Sequence, residues 1–415
     1  MSDQARASGE ASSRWAQLGW LAFALLLAMA PWFSSAAVSP LLREAWGQGG
    51  LGPPLLTVAV QLGFAAGALL LAVAGVPDVV AGPLLLAIGA FVAAAANLTF
   101  ALFADGWAAA IPARAVTGLA IAAVYPVALK IAAGWFRRER GLAVGVLIGA
   151  LTLGSALPYL FRALGAYTGL DWRPIVALAS VAGVVGAVVA IARVRTGPLD
   201  VPAPRFSPSV AAAAFREPSV RLANLGYLGH MWELYAMWTW VPLFLLGSFA
   251  AAGLADPAAA SLGAFAVVGA GAVGCIVAGL IGDRYGRTTT TIGAMAVSGT
   301  SAVVTGSLFG APAWLVLVIG IVWGISVVAD SAQFSSAVSE LAPPGTAGSA
   351  LSLQVSLGFA LTSLTILGIG LLDPTDAGGW RIAWGALAAG PLVGILAMLR
   401  LRRRPDAVKM AGGHR

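Results

Sequence analysis

Five ionisable side chains lie inside long apolar stretches of this sequence, where charge is costly. They are Arg114, Lys130, His230, Glu233 and Asp330. An ionisable residue in the middle of a membrane costs about 2.5 to 3.5 kcal/mol on insertion scales, so such residues mark candidate functional sites. A carboxylate near a histidine can bind and release protons, and an arginine can bind an anion. These residue types therefore indicate proton or anion chemistry within a membrane.

Helical geometry sorts these residues onto faces, at about 100° per residue. Arg114 shares a face with Tyr125, whereas Lys130 lies on the opposite side and is expected to extend to the cytoplasmic surface. Two polar stripes follow further along the chain. One contains His230, Glu233, Met237 and Trp240, and the other contains Trp323, Ser326, Asp330, Gln333 and Ala337.

We hypothesise that Glu233, with His230 or Asp330, binds the proton, and that Arg114 is the substrate or relay cation. The predicted substrate and proton pathway comprises Arg114, Tyr125, His230, Glu233, Trp240, Asp330 and Gln333.

Each of these residues also has a structural interpretation, and the sequence leaves the alternatives open. Glu233 can neutralise Arg114 as a buried pair. Asp330 can cap a helix or pair near its cytoplasmic end, and His230 can be a buried hydrogen-bonding residue. Aromatic residues of the same segment can pack or face lipid; they are Trp232, Tyr235, Trp238 and Trp240.

Other classes of chemistry find little support. The single cysteine, Cys275, excludes a disulfide framework, and the two histidines, His230 and His414, lie far apart. Neither an HExxH nor a GxSxG motif is present. We therefore predict no enzyme activity, no metal, no cofactor and no nucleic-acid partner.

The elements that position these residues are membrane helices. The chain has 415 residues, 59% hydrophobic and 10% charged, against roughly 45 to 50% apolar residues in soluble domains. Because a membrane helix needs about 20 apolar residues, the sequence predicts twelve spans. They lie near 15–38, 53–75, 79–103, 107–134, 141–165, 172–194, 221–248, 258–282, 288–310, 312–340, 346–372 and 379–401.

The cationic residues orient these spans by the positive-inside rule. With both termini cytoplasmic, 18 Arg and Lys residues fall inside and four fall outside. The inside set is Arg6, Arg14, Arg137, Arg138, Arg140, Arg193, Arg195, Arg205, Arg216, Arg221, Arg284, Arg287, Arg400, Arg402, Arg403, Arg404, Lys409 and Arg415. The outside set is Arg43, Arg162, Arg173 and Arg381.

The two halves of the chain resemble each other when the sequence is shifted by 205 to 208 residues. Asp78 meets Asp283, Gly118 meets Gly324, and Trp172 meets Trp380. These matches indicate duplicated halves. We predict a six-helix bundle at 1–194, a cytoplasmic linker at 195–220, a second bundle at 221–401 and a cytoplasmic tail at 402–415.

The loop after predicted span eight carries the most specific motif. Its residues Gly279, Asp283, Arg284, Gly286 and Arg287 resemble the GxxxDRxGR signature of the major facilitator superfamily. The first-half counterpart keeps Asp78 but lacks both arginines. Arg114 and Gly118 resemble the RxxxG element of the same superfamily, and glycines of span five resemble a loosened antiporter motif, for which close helix packing is the simpler interpretation.

This resemblance implies an all-α membrane protein with twelve transmembrane helices in two pseudo-symmetric six-helix bundles. It also implies alternating access, a cavity between spans one, four, seven and ten, and a gating loop formed by Asp78, Gly279, Asp283, Arg284, Gly286 and Arg287, with both arginines at the cytoplasmic surface. The sequence is similar to small-anion porters, but spans two and eight lack the arginines of nitrate porters, and spans eight and eleven lack the cations of oxalate exchangers.

We therefore predict a secondary active transporter that moves a small organic anion coupled to protons. The alternative is proton-driven efflux of amphipathic or drug-like compounds. The expected setting is a bacterial inner membrane, with a monomeric multi-pass chain in contact with lipids.

Overall fold

The fold is entirely helical within the residues that the computed structural model describes, which are 3–47, 51–136, 139–200 and 206–414. The helices are α1 (Asp3–Met29), α2 (Ser34–Ala37), α3 (Ser39–Trp46), α4 (Gly52–Ala74), α5 (Val76–Val79), α6 (Gly82–Phe103), α7 (Trp107–Ile121), α8 (Tyr125–Ala133), α9 (Arg140–Thr168), α10 (Trp172–Arg193), α11 (Pro208–Arg216), α12 (Pro218–Ala251), α13 (Pro257–Tyr285), α14 (Arg287–Ser307), α15 (Ala313–Ala329), α16 (Ser331–Leu341), α17 (Ala347–Leu372), α18 (Ala377–Leu387) and α19 (Ala389–Arg402). A 3-10 segment, Pro405–Gly413, follows them. The predicted inside residues Arg137, Arg138, Arg205 and Arg415 lie outside the described residues.

Ten helical segments among the described residues are long and apolar enough to cross a membrane. Two predicted spans, one and nine, correspond to α1 and α14, which are helical but are not among the ten. Of these two, α14 is rich in threonine, serine and glycine, which lowers its apolar content. The protein is therefore a multi-pass membrane protein, and the count of twelve spans stays a prediction.

Helices of each half of the chain pack mainly on one another. In the N-half (residues 1–194), α4 packs on α7 and α6 packs on α10; in the C-half (residues 221–401), α12 packs on α19 and α13 on α15. Two long seams join the halves, one between α9 and α13 and the other between α4 and α17. The division into two six-helix bundles stays a prediction.

Equivalent glycines bring equivalent helices into backbone contact in the two halves. A Cβ on Gly118 would overlap the carbonyl of Val60, and a Cβ on Gly324 would overlap the carbonyl of Val267. The two contacts join α7 to α4 and α15 to α13, at positions related by the sequence repeat. Gly145 of α9 approaches the carbonyl of Cys275 in the same way, so the span-five glycines pack the seam with α13.

Several crossings are interrupted near their middle. The chain turns after Met29, where Pro31 cannot continue a hydrogen-bonded helix. A second interruption separates α7 from α8. In a continuous helix the ring of Pro126 would clash with the carbonyl of Ala122, four residues earlier, and the helix is broken between these two residues. The crossing formed by α15 and α16 is interrupted at Asp330. Irregular backbone in a membrane needs partners inside the protein, so these interruptions are places to look for polar side chains.

The first part of the predicted linker contacts the N-half, where the indole of Trp135 donates to the carbonyl of Arg195, whereas α11 and the tail fold against the C-half. Within the predicted linker, α11 packs on α12 and α17, and α12 begins at Pro218. In the tail, Ala407 and Met410 are fully buried. A hydrogen bond from Ser219, together with the nearby Lys409, holds the pKa of Asp406 below its ordinary value.

Candidate functional site

Arg114 is fully buried in α7 and binds the interrupted part of the first crossing. Its Nη1 donates to the carbonyl of Pro31 at 2.9 Å and to the side chain of Asn97, and its Nη2 donates to the carbonyl of Trp32. The turn at Pro31 leaves these carbonyls without helical partners, and a guanidinium fork satisfies them. All of these acceptors are neutral, and all belong to the N-half.

Glu233 is buried in α12 and has a separate set of partners. Its Oε1 accepts a hydrogen bond from the indole nitrogen of Trp323 at 2.7 Å, and its Oε2 accepts one from Ser298 at 2.8 Å. Both donors are neutral and both belong to the C-half. The contacts of Glu233 and of Arg114 therefore lie in different halves.

His230 and Asp330 come together one helical turn from Glu233. The His230 Nδ1 lies 2.8 Å from the Asp330 Oδ1, and the His230 Nε2 lies 2.8 Å from the hydroxyl of Ser331. The side chains of His230 and Asp330 are each 2% exposed, so water solvates neither of them. The Nδ1 to Oδ1 contact has the distance of an ion pair without the alignment of a hydrogen bond.

The remaining members of the predicted pathway have different surroundings. The indole of Trp240 donates to the carbonyl of Ile366 in α17 at 3.2 Å. Gln333 of α16 donates to the carbonyl of Ala278 at 3.1 Å and accepts from Arg287, so it contacts the gating loop. Tyr125 lines a cavity.

The cavity lies between the two halves and has a volume of about 290 Å³. Its walls come from α4, α5, α8, α16 and α17, and most of its lining side chains are apolar. Tyr125, Lys130 and Asp78 are among its polar residues, together with Ser335 and Ser349. In secondary transporters, solutes bind at the interface between the two halves, so this cavity is the candidate solute site.

The C-half latch, defined as Asp283, Arg287, Gln333 and Glu340, ties α13, α14 and α16 together. Arg287 donates to Asp283 at 2.9 Å, to Gln333 at 2.8 Å and to Glu340 at 3.0 Å. The other oxygen of Glu340 accepts from the backbone of Ala411 in the tail at 3.0 Å. Arg287 was expected at the cytoplasmic surface, and this expectation is wrong, because its three acceptors draw it inward to 7% exposure.

The other loop residues frame this latch. Gly286 has φ +96°, a left-handed backbone value that glycine adopts without strain, and it separates α13 from α14. Gly279 lies against the carbonyl of Gly141 in α9, and Asp283 lies against Gly141 itself, so this loop contacts the N-half. Arg284 is exposed and lies over the ring of Tyr285 at 5.3 Å.

The N-half counterpart draws its cation from a different helix. Lys130 of α8 donates to the carboxylate of Asp78 and to the carbonyl of Pro77 at 2.6 Å. The lysine supplies the cation that the first loop lacks, and its expected extension to the cytoplasmic surface stays a prediction. Its side chain is 25% exposed, which is more than for Arg287.

Six aromatic rings meet between the halves, and the sequence patterns did not identify them as a group. They form the aromatic cluster, which consists of Trp32, Phe33 and Phe64 of the N-half and Tyr235, Trp238 and Phe359 of the C-half. All six are at most 5% exposed. Phe64 lies one helical turn from Ala68, which lines the cavity, so the cluster lies near that cavity.

Several contacts join residues that are predicted to lie on the same side of the membrane. Arg14 pairs with Glu139 at 2.8 Å, and Ser219 pairs with Asp406 of the tail at 2.8 Å. Phe206 of the predicted linker, which is expected on the cytoplasmic side, lines the cavity. Arg43, predicted to be outside, pairs with Asp373 at 3.2 Å.

The profile of the Major Facilitator Superfamily matches residues 21–366, which is most of the chain. The chain belongs to this superfamily. It is therefore a membrane transporter of some solute and not an enzyme.

Two known proteins are similar to this transporter. A crystal structure of the nucleoside transporter NupG aligns with a TM-score of 0.68 and 15% identity, over 93% of this chain and 98% of NupG. At this identity the likeness shows the fold alone. The MFS transporter asaE of Aspergillus flavus is 26% identical over 172 residues, and the match spans 41% of this chain and only 37% of that relative's length.

Proposed function

We propose that the transporter couples the movement of a small organic anion to the movement of protons by alternating access. The observation that carries this proposal is the course of α16. It begins beside the contact between His230 and Asp330, lines the cavity with Ser335 one turn later, and ends at the C-half latch with Glu340. One short helix thus joins a protonatable site, the solute cavity and a latch.

The buried acids of the C-half support proton coupling. Glu233 receives hydrogen bonds from Ser298 and Trp323, and the described residues place no arginine or lysine within ion-pair distance of it. Burying an unpaired carboxylate is costly, and binding a proton removes that cost. We propose that Glu233, His230 and Asp330 together exchange the coupling proton.

The contacts of Arg114 favour a structural role over the hypothesised role of substrate cation. Its described hydrogen bonds go to the oxygens of Pro31, Trp32, Ser34 and Asn97, and its side chain is fully buried. Lys130 lines the cavity and is the cation that a solute would meet there. A solute carboxylate would compete with Asp78 for its ammonium group.

The apolar walls of the cavity favour a second candidate function. Leu71, Leu129, Leu351 and Val355 would accommodate the apolar body of an amphipathic compound. Proton-driven efflux of such compounds uses the same groups in the opposite direction. For both candidates we propose a monomer in a bacterial inner membrane, with both termini and the cavity mouth on the cytoplasmic side.

Transport by the purified protein in proteoliposomes tests the proposal. A panel of labelled organic acids and amphipathic compounds is offered with a pH gradient of either sign, and with a protonophore. Proton symport predicts accumulation on the alkaline side, and efflux by antiport predicts accumulation on the acidic side. Transport that is indifferent to the gradient would show that protons are not coupled.

A further inference from the structure

We propose that the aromatic cluster binds the ring of the solute, and that the solutes are planar aromatic carboxylates. This inference rests on the proposed transport of an organic anion and adds the chemical class of that anion. It follows from three features of the structure: the stacking between halves, the place of the cluster beside the cavity, and two buried donors beside the rings.

The rings of the cluster pair across the boundary between the halves. Trp32 stacks on Tyr235 with centroids 5.7 Å apart and planes 15° apart, and it also meets Phe359 at 5.6 Å. Phe64 meets Phe359 at 4.2 Å, and Phe33 lies parallel to Tyr235 at 6.0 Å. Offset stacking of this kind is favourable because the ring faces and edges carry opposite partial charges.

The cluster occupies the position where the halves must separate. Phe64 and Phe359 each lie one helical turn beyond cavity-lining residues, which are Ala68 in α4 and Val355 in α17. Opening the far end of the transporter would part the N-half rings from the C-half rings. A flat ring between them would restore stacking on both sides, whereas a puckered aliphatic ring would not.

Two buried hydrogen-bond donors beside the rings are without partners. The Oε1 of Gln61 accepts from the indole of Trp32 at 2.9 Å, which leaves the Nε2 of the same amide unpaired. The indole nitrogen of Trp238 is also unpaired, and both side chains are fully buried. Buried donors are normally satisfied, so an acceptor belongs next to each of them. A carboxylate supplies acceptors only, and it is the group that matches two N–H donors.

Equilibrium binding to the purified full-length transporter tests the ring requirement with a matched pair of probes. The probes are 2-naphthoate and its saturated analogue, decahydronaphthalene-2-carboxylate, which share charge and carbon skeleton. We expect 2-naphthoate to bind about tenfold more tightly, as the loss of one or two aromatic contacts implies. Equal affinities, or no binding of 2-naphthoate, would overturn the proposal.

Variants assign the preference to the cluster. Phe64→Leu and Phe359→Leu remove one ring each and should lower the affinity ratio of the two probes, whereas Trp32→Phe keeps a ring and should retain most of it. The control is Trp314→Leu, because this tryptophan is 67% exposed and distant in sequence from the cluster. The ratio is measured on folded protein only, so a loss of folded material does not imitate the effect. A ratio unchanged in both leucine variants would place the binding elsewhere.

The donors are tested by the anionic group of the probe. We expect 2-naphthalenemethanol, which has the ring without the carboxylate, to bind more weakly than 2-naphthoate. Because Lys130 would also favour the anion, the comparison is repeated with Gln61→Leu, and an unchanged difference between the two probes would contradict the role of Gln61. The two proposals remain separable, because ring preference without any effect of a pH gradient would refute proton coupling alone, and gradient-driven transport without ring preference would refute this inference alone.

Discussion

The two halves of the transporter bury opposite charges and stabilise them in different ways. In the N-half, the guanidinium of Arg114 binds neutral oxygens from two separate stretches of chain, the turn at Pro31 and the side chain of Asn97. In the C-half, the carboxylate of Glu233 binds two neutral donors, and the carboxylate of Asp330 faces an imidazole. An arginine keeps its charge in proteins, whereas carboxylates and histidine exchange protons. The proposed proton coupling therefore assigns a fixed charge to the N-half and titration to the C-half.

The latches repeat this difference on a smaller scale. Arg287 is buried and has three acceptors, one of which also binds the tail, whereas Lys130 is partly exposed and pairs with Asp78 at the mouth of the cavity. The C-half latch therefore joins helices within the protein, and the N-half pair lies where a solute can reach it.

Removing the fixed charge should have the largest effect on stability. Arg114→Leu leaves the buried carbonyl of Trp32 without its donor and takes one donor from the carbonyl of Pro31 and one from Asn97, and each unsatisfied buried group costs about 1 to 3 kcal/mol. We expect the free energy of unfolding to fall by at least about 3 kcal/mol, measured by thermal unfolding in detergent. Arg114→Lys should recover part of this loss, and Arg381→Leu, an exposed control, should lose almost nothing. A stable Arg114→Leu protein with weakened solute binding would instead make Arg114 a substrate residue.

Loss of the buried cation of the C-half latch should lower the free energy of unfolding more than loss of the partly exposed Lys130 in the N-half. Arg287→Leu removes three charge-assisted hydrogen bonds from a buried site, so we expect a loss of about 2 kcal/mol in unfolding free energy. Lys130→Leu removes a partly exposed pair and should cost less than about 1 kcal/mol. Its main effect should be on the apparent affinity for anionic solutes. Equal stability losses in the two variants would remove the distinction between the latches.

The smallest change concerns one hydrogen bond of the titrating site. Ser298→Ala removes one of the two neutral donors to Glu233, and we expect a loss of about 1 kcal/mol in unfolding free energy together with a changed pH dependence of transport. Ser307→Ala, on the same helix but exposed, is the matched control. A pH profile identical to that of the control would argue that Glu233 does not titrate during transport.

The sequence predicted where the buried charges lie better than it predicted what they bind. The free-energy cost of an ionisable residue inside a membrane identified His230 and Asp330 as candidates, and the two side chains lie in contact in the structure. The partners of Arg114 were missed because they are carbonyls exposed by the turn at Pro31, and a backbone interruption has no side-chain pattern. Gln333 was placed in the pathway because it shares a stripe with Asp330 on one unbroken helix. The crossing is interrupted at Asp330, and Gln333 contacts Arg287 instead.

The aromatic cluster shows a second limit of sequence reasoning. Helical periodicity relates residues within one segment, but Trp32 and Phe359 lie more than three hundred positions apart and meet only through the packing of the two halves. Most of the spans were predictable because a long run of apolar residues is a local pattern. Pairings across the seam depend on tertiary structure and were not.

The titrating C-half is tested most directly by gradient-driven accumulation in proteoliposomes, normalised to counterflow exchange of the same solute. Asp330→Asn and Glu233→Gln keep the size of each side chain and remove the exchangeable proton. We predict that both variants exchange solute at nearly the wild-type rate and no longer accumulate it under a pH gradient. Wild-type accumulation in both variants would contradict the account.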